Sequence, residues 1–562
     1  MRPQDTPGRP APPRQAVAGP RQAMAGPRQA MAGPRQVAEA ELPVHNGPDA
    51  VITGAAVPAA DTASAAAVMA AEPAGAAVPA SSSGRRDPVI WLIAGGVFAC
   101  YTTISVFRYL RLDPTSWDLG IFTEYVSQYA RLHAPVVDIR GAGFDLLGDH
   151  FHPIVALIAP FFRLFPSPIT LLVAQALLAA VSVFPVSRAA ADRLGARAGR
   201  AIGTAYGLSW GLQQLASYDF HEIAFAVPLL AFSLSALTRG RLRAAVAWAL
   251  PLVLVKEDQG FTVAAIGLII AFAYRKRAAG LFLAAWGTCW SLLEILVFIP
   301  ALNPEHQYPY WSKGGAISPV GGHFSVGGLL AQLAASPQVK LTTLALILLP
   351  TALAALRSPL VLAAIPGLGL RFVSTDPSYW GTAWHYNATV MPIVFVAAVD
   401  GLARIRERRL AAADHVGMAV VTRRRLPGRL AAALDRHGAA AMLAVCAALI
   451  FQFPLSTLWQ PQTYELGPHV AAAWAAMAKV PDGATVATDL DLLAPLAART
   501  DTFWLGNFGS NPATEYVVFD TASSDWQPPP RNVLGFVEGL SHGARYQQIF
   551  VRDGVYVFRR AR

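Results

Sequence analysis

The chain has 562 residues, of which 54% are hydrophobic and only 14% are charged. Soluble domains carry about 25% charged residues, so this composition excludes an ordinary soluble protein and indicates a membrane protein. The net charge is +10. Most basic residues lie in short segments between apolar runs, so the charge indicates membrane topology rather than binding to nucleic acid.

The first 87 residues are rich in Pro, Ala and Gly and contain the tandem repeat "VAGPRQA MAGPRQA MAGPRQV". A proline at every seventh position prevents a continuous helix. The segment also has no aromatic residue from which a core could grow. We therefore predict that residues 1–87 form a disordered cytoplasmic tail.

Apolar runs after the tail predict a multi-pass membrane domain over residues 88–460. The first run starts at Val89, directly after "GRRD", and is typical of a signal anchor that leaves the tail in the cytoplasm. With it, the apolar runs predict about eleven spans; the other ten lie near 168–187, 201–217, 223–238, 244–256, 260–274, 280–300, 339–356, 358–374, 386–403 and 438–458. Alternation then places nearly every Lys/Arg cluster on the cytoplasmic side, as the positive-inside rule requires in a bacterial plasma membrane.

Two regions are predicted to lie outside the membrane. Residues 111–167 form a large first external loop, and its apolar run "PIVALIAPFFRLFP" is too short to span, so it predicts a helix in the outer interface. Residues 461–562 contain "VPDGATVATDL", "EYVVFD" and "YQQIFVRDGVYVFRR", which predict a small extracytoplasmic α/β domain. The fold class is thus an all-α polytopic membrane protein with an α/β domain at its C-terminal end.

Polar residues gather at the predicted external ends of the spans. The segments are "SWDLGIF" at 116–122, "GDHFHP" at 148–153, "SYDFHE" at 217–222, "VKEDQG" at 255–260, "EHQYPYW" at 305–311 and "AWHYN" at 383–387. Two acids and a histidine within four positions, Asp219, His221 and Glu222, are costly near hydrocarbon and useful at a reactive site. The flanking spans are shorter than the ~20 residues that cross a membrane, so we expect these segments to line a cleft below the outer surface.

Several of these residues also have structural explanations. His150 and His152 could be metal ligands, but an H-x-H before a proline is also typical of a hydrogen-bonded turn. Lys256 could pair with the two acids that follow it. Aromatic residues near the cleft could stack on a sugar or form the aromatic belt of the membrane interface; they are Trp117, Tyr310, Trp311, Trp380 and Trp384.

The motifs "WDLGIF", "GDHFHPI", "YDFHE", "VKED" and "WHYN" together resemble a bacterial membrane family called domain of unknown function 2079, over residues 90–560. The order of a first span, an acid that opens an amphipathic external helix and an interfacial helix also resembles GT-C glycosyltransferases, which use polyprenyl-phosphate sugars. The resemblance implies a catalytic carboxylate, and only Asp118 occupies that position. Leu119 departs from the pattern, because many GT-C enzymes have a second acid there. "FHP" likewise replaces the Lys-Pro-Pro found in some of them.

The resemblance and the chemistry of glycosyl transfer together assign candidate roles. Asp118 is the candidate general base, although an Asp before an amphipathic run is also an ordinary helix cap. Lys256 and Arg371 could pair with a lipid phosphate. Asp219, His221 and Glu222 could bind acceptor hydroxyls, orient Asp118 or hold a divalent cation as cofactor. Further substrate-binding candidates are Asp149, His150, His152, Glu257, Asp258 and His385.

The expected function is transfer of a sugar from a polyprenyl-phosphate donor to a cell-envelope glycan, lipid or protein on the outer face. The expected partners are that donor, the acceptor and membrane lipids, and not nucleic acid. A transporter is the main alternative, because buried acids and histidines also mark ion pathways. An inactive scaffold for envelope assembly is the third. Polar residues concentrated at one membrane face favour the enzyme.

Overall fold

The structure, a computed structural model, describes residues 87–113, 116–314, 325–414, 428–507 and 511–561. The predicted tail and its repeat therefore lie outside the described residues, except for Asp87. The helices of the first half are α1 Pro88–Leu110, α2 Ser116–Ala130, α3 Ala159–Leu164, α4 Pro168–Leu194, α5 Ala196–Gly207, α6 Trp210–Ala216, α7 Ala226–Thr238, α8 Leu242–Ala249 and α9 Gln259–Phe272. Those that follow are α10 Arg277–Leu293, α11 Ile299–Leu302, α12 Val326–Ala334, α13 Pro337–Leu348, α14 Ile365–Val373, α15 Val390–Asp414, α16 Gly428–Leu449, α17 Pro468–Met477, α18 Leu493–Ala497 and α19 Val533–Leu540.

Five helical segments of the described residues are long and apolar enough to cross a membrane, or six if one bent pair forms a single span. The five are Pro88–Leu110, Pro168–Leu194, Arg277–Leu302, His385–Ala412 and Gly428–Gln452. The bent pair consists of Val326–Ala334 and Pro337–Thr351, which meet at 70°. The chain is thus mostly helical with membrane-like helices, as predicted.

Eleven complete spans are not confirmed. The other predicted spans are helical but short; the apolar helices of this kind include Glu222–Thr238, Leu242–Leu254, Gln259–Phe272 and Pro359–Val373. The predicted span 201–217 is broken between α5 and α6, where the residues at 208 and 209 leave the helix. Hydropathy measures how apolar a run is, and it does not show where the backbone hydrogen bonding stops.

Local signals explain where the two longest early helices begin. Asp87 and Ser167 stand immediately before α1 and α4, and each side chain accepts a hydrogen bond from the backbone N–H two residues later. In both helices a proline follows the cap at the first helical position, where its missing N–H costs nothing. Both helices therefore start at the position that the sequence specifies.

Helices α9 and α10 pack closely because glycines face each other. A Cβ on Gly267 would lie 2.5 Å from the backbone nitrogen of Ala284, and a Cβ on Gly280 would lie 2.3 Å from that of Ala271. Small residues of this kind allow membrane helices to approach along their backbones. The close packing extends to the start of α9, where Gly260, two residues after the "VKED" segment, lies against Gly287 and Ser291.

The C-terminal region contains the predicted sheet, with strands β1 Thr485–Thr488, β2 Asp501–Trp504, β3 Tyr516–Asp520, β4 Tyr546–Arg552 and β5 Val555–Arg560. The strand order is β2-β1-β3-β5-β4. β1 is parallel to β2 and β3, whereas β5 is antiparallel to β3 and β4. The carboxyl ends of β1 and β3 therefore meet at one edge of the sheet.

The sheet region packs directly on α2. A Cβ on Gly120 would lie 2.9 Å from the Cβ of Leu493 on α18, so only glycine fits without a shift. The rings of Trp117 and Trp504 meet edge to face with centroids 4.7 Å apart. The first turn of α2 is thus held between the sheet and the membrane helices.

Candidate active site

Asp118 lies in the first turn of α2, at the third helical position. It is therefore inside the helix rather than at the cap position before it, and the positive end of the helix dipole favours its carboxylate. The hydroxyl of Tyr218 donates a hydrogen bond of 2.8 Å to Asp118 Oδ2. Burial and the neighbouring Asp118 hold the pKa of Tyr218 well above its usual value, so the tyrosine keeps the proton that it donates.

A second carboxylate reaches the same turn from a distant part of the chain. The backbone N–H of Leu119 donates to Asp219 Oδ2 at 3.2 Å. Gln175 on α4 holds the loop that carries Asp219, because its amide donates to the carbonyl of Leu215 and its oxygen accepts from the N–H of His221. Asp219 thus places a second carboxylate against the first turn of α2, next to Leu119.

Glu222 lies at the centre of a buried ion network and is 0% exposed. Its Oε1 accepts a hydrogen bond of 2.9 Å from Lys256 Nζ, and its Oε2 lies 2.5 Å from His221 Nδ1. The predicted pairing of Lys256 with the two acids that follow it is therefore not the main contact. Both charges of the Lys256–Glu222 pair are compensated without a ligand.

A second set of hydrogen bonds, next to the first, connects the "GDHFHP" and "VKED" segments with Tyr308 and Tyr310. Glu257 Oε1 accepts from His150 Nδ1 at 2.7 Å and from the Tyr308 hydroxyl at 2.9 Å. Asp149 Oδ1 accepts from Arg140 at 3.1 Å and from Tyr310 at 3.2 Å. Burial alone would raise the pKa of Asp149, but the Arg140 guanidinium and the adjacent histidines hold it below its usual value.

The two histidines of "GDHFHP" have different partners. The His150 ring is hydrogen-bonded to Glu257, whereas His152 Nδ1 lies 3.2 Å from the Tyr125 hydroxyl. Burial lowers the pKa of His152 to about 4, so it is neutral at physiological pH. The part of the chain that the structure describes contains no group of three or more His, Cys, Asp or Glu side chains that could hold a metal ion. The predicted divalent cation therefore has no ligand set among these residues.

His385 and Arg371 complete the site. The rings of His385 and His221 stack with centroids 3.8 Å apart, and within the described residues neither ring nitrogen of the buried His385 has a hydrogen-bond partner. Arg371 donates to the carbonyls of Tyr379, Gly381 and Tyr386 and to the side-chain oxygen of Asn387. Each of these four acceptors is neutral, and the described residues place no carboxylate in an ion pair with Arg371.

All six predicted polar segments are therefore brought together. Asp258 accepts a hydrogen bond from the neighbouring Gln259. The predicted aromatic residues mostly pack on protein groups: Tyr310 stacks on His150, and Trp384 packs on Tyr218. Side chains that the sequence did not single out include Tyr218, Gln175, Arg140 and Lys340, because nothing in their local pattern shows which distant group they contact.

Comparison with solved structures found similar chains at low identity. The structure of ArnT from Cupriavidus metallidurans bound to undecaprenyl phosphate matches with 14% identity and a TM-score of 0.47, covering 84% of this chain and 97% of that chain. The archaeal oligosaccharyltransferase AglB from Archaeoglobus fulgidus, in complex with an inhibitory peptide and a dolichol-phosphate, matches with 14% identity and a TM-score of 0.37, covering 83% of this chain and 74% of that chain.

No match was found among the curated proteins. Residues 108–557 match the model of a protein family, described as predicted membrane protein DUF2079. The match includes Asp118, all six polar segments, strands β1 to β4 and the start of β5. The chain therefore belongs to the DUF2079 family of membrane proteins.

Proposed function

We propose that this protein transfers a sugar from a polyprenyl-phosphate donor to a hydroxyl of a cell-envelope acceptor, at the outer face of a bacterial plasma membrane. The observation that carries the proposal is the position of Asp118. Its carboxylate lies at a helix N-terminus, is hydrogen-bonded by Tyr218, and stands beside Asp219 and a set of buried histidines and cations. The proposed architecture is a GT-C-like membrane domain of about eleven spans with the sheet outside.

The proposed reaction is a single displacement. The acceptor oxygen attacks the anomeric carbon, the bond from that carbon to the phosphate oxygen breaks, and polyprenyl phosphate leaves. Asp118 takes the proton of the attacking hydroxyl as general base. Tyr218 fixes the orientation of Asp118, and Asp219, which accepts from the N–H of Leu119 in the first turn of α2, binds a second acceptor hydroxyl.

The departing phosphate requires positive charge that is not already neutralised. Lys256 is paired with Glu222, so its role in this proposal is to hold the network that orients His221 and His385. Arg371 is better suited to the phosphate, because within the described residues no carboxylate forms an ion pair with it. Tyr386 accepts from Arg371 through its carbonyl and follows His385 in the chain, which places this cation beside the stacked histidines.

Lys340 adds a second cation next to Arg371. It is 4% exposed, donates to the carbonyls of Phe372 and Gln332, and lies 4.3 Å from the centre of the Trp380 ring. No ion pair of Lys340 with an acid is present in the described ranges. Buried charges are normally compensated, and a lipid phosphate would compensate both cations.

The test compares purified wild type with Asp118→Asn for transfer of radiolabel from a panel of polyprenyl-phosphate sugars to an envelope extract. We expect transfer by the wild type and a loss of about 100-fold or more in the variant, the usual size of a general-base effect. Asp482→Asn is the matched control, because the Asp482 side chain is 82% exposed and pairs with Arg499, far from the candidate site in the chain. It should transfer like the wild type.

Other outcomes point to the alternatives. Uptake of labelled donor into sealed vesicles without transfer supports a transporter. Donor binding without transfer or uptake supports a scaffold. Wild-type activity that survives Asp118→Asn contradicts the assignment of the base, and activity lost with EDTA and restored by Mg²⁺ or Mn²⁺ would show the divalent cation that the described residues do not explain.

A further inference from the structure

A cleft lies where the end of α1, the first turn of α2 and the C-terminal sheet meet. Arg108, Tyr109 and Asp113 line it from the end of α1 and the residues beyond it. Tyr218 and Asp219 line it from the loop between α6 and α7, and Asp491 lines it from the sheet region. The remaining wall is largely leucine and proline. The cleft therefore shares two residues with the site of Asp118 and receives one carboxylate from a region about 370 residues away in the chain.

Asp491 belongs to the edge where the parallel strands β1 and β3 end. It lies in the 3₁₀ turn Leu490–Leu492, directly after β1. Two nearby acids at this edge have structural partners. Asp489 accepts from the indole of Trp526 and the N–H of Asp520, and Asp525 accepts from the indole of Trp504.

Asp491 is different from these neighbours. Ser523 and the N–H of Ser524 hydrogen-bond to its carboxylate, but Oδ1 is buried and has no hydrogen-bond partner within the described residues. A buried carboxylate oxygen without a donor costs free energy, so such groups usually receive one from water or a ligand. Asp491 also lines the cleft, so a ligand in the cleft contacts this residue.

The chemistry of the cleft favours a compound with several hydroxyl groups. Asp219 and Asp491 bring carboxylate oxygens that can accept hydrogen bonds from hydroxyl groups, and Tyr109 and Tyr218 add aromatic rings to the wall. Asp113 is already paired with Arg111 at 2.5 Å, and Arg108 lies 3.9 Å from the same carboxylate. The charged side chains that line the cleft are thus three carboxylates and the guanidinium of Arg108, and this excess of negative charge does not suit a phosphate.

We propose that this cleft binds the glycan acceptor and that Asp491 is an acceptor-binding residue contributed by the C-terminal sheet. This inference rests on the proposed function, which it extends by assigning the acceptor and donor phosphate to different places. Acceptor hydroxyls enter between α2 and the sheet, whereas the phosphate lies by Arg371. Because Tyr218 and Asp219 line the cleft, an acceptor bound there presents a hydroxyl toward Asp118.

The docking of the sheet explains why it can contribute to such a site. Besides the Gly120 and Trp117 contacts, Asn507 donates to the carbonyl of Ile139 at 2.9 Å, and the Trp474 indole donates to the carbonyl of Leu110 at 2.9 Å. These bonds anchor the sheet to the external loop and to the end of α1. Asp491 is thereby held at the cleft by the fold.

The experiment uses the full chain in detergent and compares Asp491→Asn with Asp482→Asn. In the transfer assay we expect Asp491→Asn to raise the KM for envelope acceptor about tenfold, the loss of one hydrogen bond to a charged group. Its affinity for the polyprenyl-phosphate donor should stay within twofold of wild type, and Asp482→Asn should change neither. An acceptor KM within twofold of wild type overturns the proposal.

A binding measurement without donor distinguishes a failure of this inference from a failure of the proposed function. Radiolabelled, deacylated envelope glycans are dialysed against each protein without donor. If wild type binds the glycans and Asp491→Asn binds them about tenfold less, the cleft is supported even where no transfer occurs. Equal binding by both variants, or none by wild type, overturns it. Gel filtration checks folding, and Asp491→Ser replaces Asp491→Asn if that variant aggregates.

Discussion

Two buried polar regions of the membrane domain compensate their charges in opposite ways. Around Glu222 and Glu257, each acid has a basic partner: Lys256 and His221 contact the first, and His150 contacts the second. Around Arg371 and Lys340, the acceptors are carbonyl and amide oxygens, and the described residues supply no carboxylate to either cation. In the first region a basic side chain contacts each of these two acids, while the described residues of the second region supply no anion.

The difference has a physical basis. Removing a charge from water costs several kcal/mol, which a well-placed opposite charge offsets. Carbonyl dipoles offset it only in part, so a buried cation held by carbonyls still attracts an anion. We therefore expect the network around Glu222 to stabilise the fold and the Arg371 region to bind the donor.

The largest effect should follow from breaking the first region. Glu222→Gln leaves Lys256 buried without its counter-charge and should lower the free energy of unfolding by about 3–5 kcal/mol. The measurement is unfolding in SDS. The double variant Glu222→Gln/Lys256→Met removes both charges and should recover part of the loss. A single variant that loses less than 1 kcal/mol would show that the pair is not important for stability.

A smaller effect, on binding rather than folding, should follow from Arg371→Gln. Loss of this guanidinium should weaken binding of a polyprenyl-phosphate sugar about 10- to 100-fold, because hydrogen bonds between charged groups are the strong ones. Equilibrium binding of radiolabelled donor measures it. Arg239→Gln is the control, since Arg239 already pairs with Asp192 at 2.7 Å. Equal losses in the two variants would contradict a phosphate site at Arg371.

Lys340→Met should weaken equilibrium binding of the radiolabelled donor less than Arg371→Gln does. The methionine keeps the apolar stem against Trp380 but removes the ammonium, so donor binding should weaken about fivefold to tenfold. Lys340→Arg should restore most of the affinity, because the charge returns. Failure of both substitutions to change donor binding would leave Lys340 as a structural link between α13 and α14.

The smallest expected effect is the pH dependence of glycan binding, which should follow from the titration of Asp491 at the sheet. Burial raises the pKa of Asp491 to about 6, with Asp525 and Asp520 adding to the shift. Its carboxylate is therefore ionised above pH 6 and protonated below, so glycan binding should weaken a few-fold between pH 7.5 and 5. Other groups face Asp491 across the cleft: Arg108, Tyr109, Asp113, Tyr218 and Asp219. If the pH dependence persists in Asp491→Asn, one of these groups causes it.

Much of the fold could be predicted from local pattern. Apolar runs mark the helices, and the prolines behind Asp87 and Ser167 mark where two of them start. The meeting of the polar segments could also be predicted, because all were expected at the same ends of the spans. The number of complete spans could not, since short apolar helices such as Gln259–Phe272 look like spans in composition.

By itself, the sequence determined that the chain is a helical membrane protein with a small sheet, and that "WDLGIF", "YDFHE", "VKED" and "WHYN" carry its chemistry. Tertiary structure decided the partners: Lys256 with Glu222 rather than with its neighbours, Asp219 on the turn of Asp118, and Asp491 at the cleft. The reason is that composition and spacing act over a few residues. An ion pair or a cleft depends on which distant backbones pack together, and here the decisive contacts join residues 34 to about 370 positions apart.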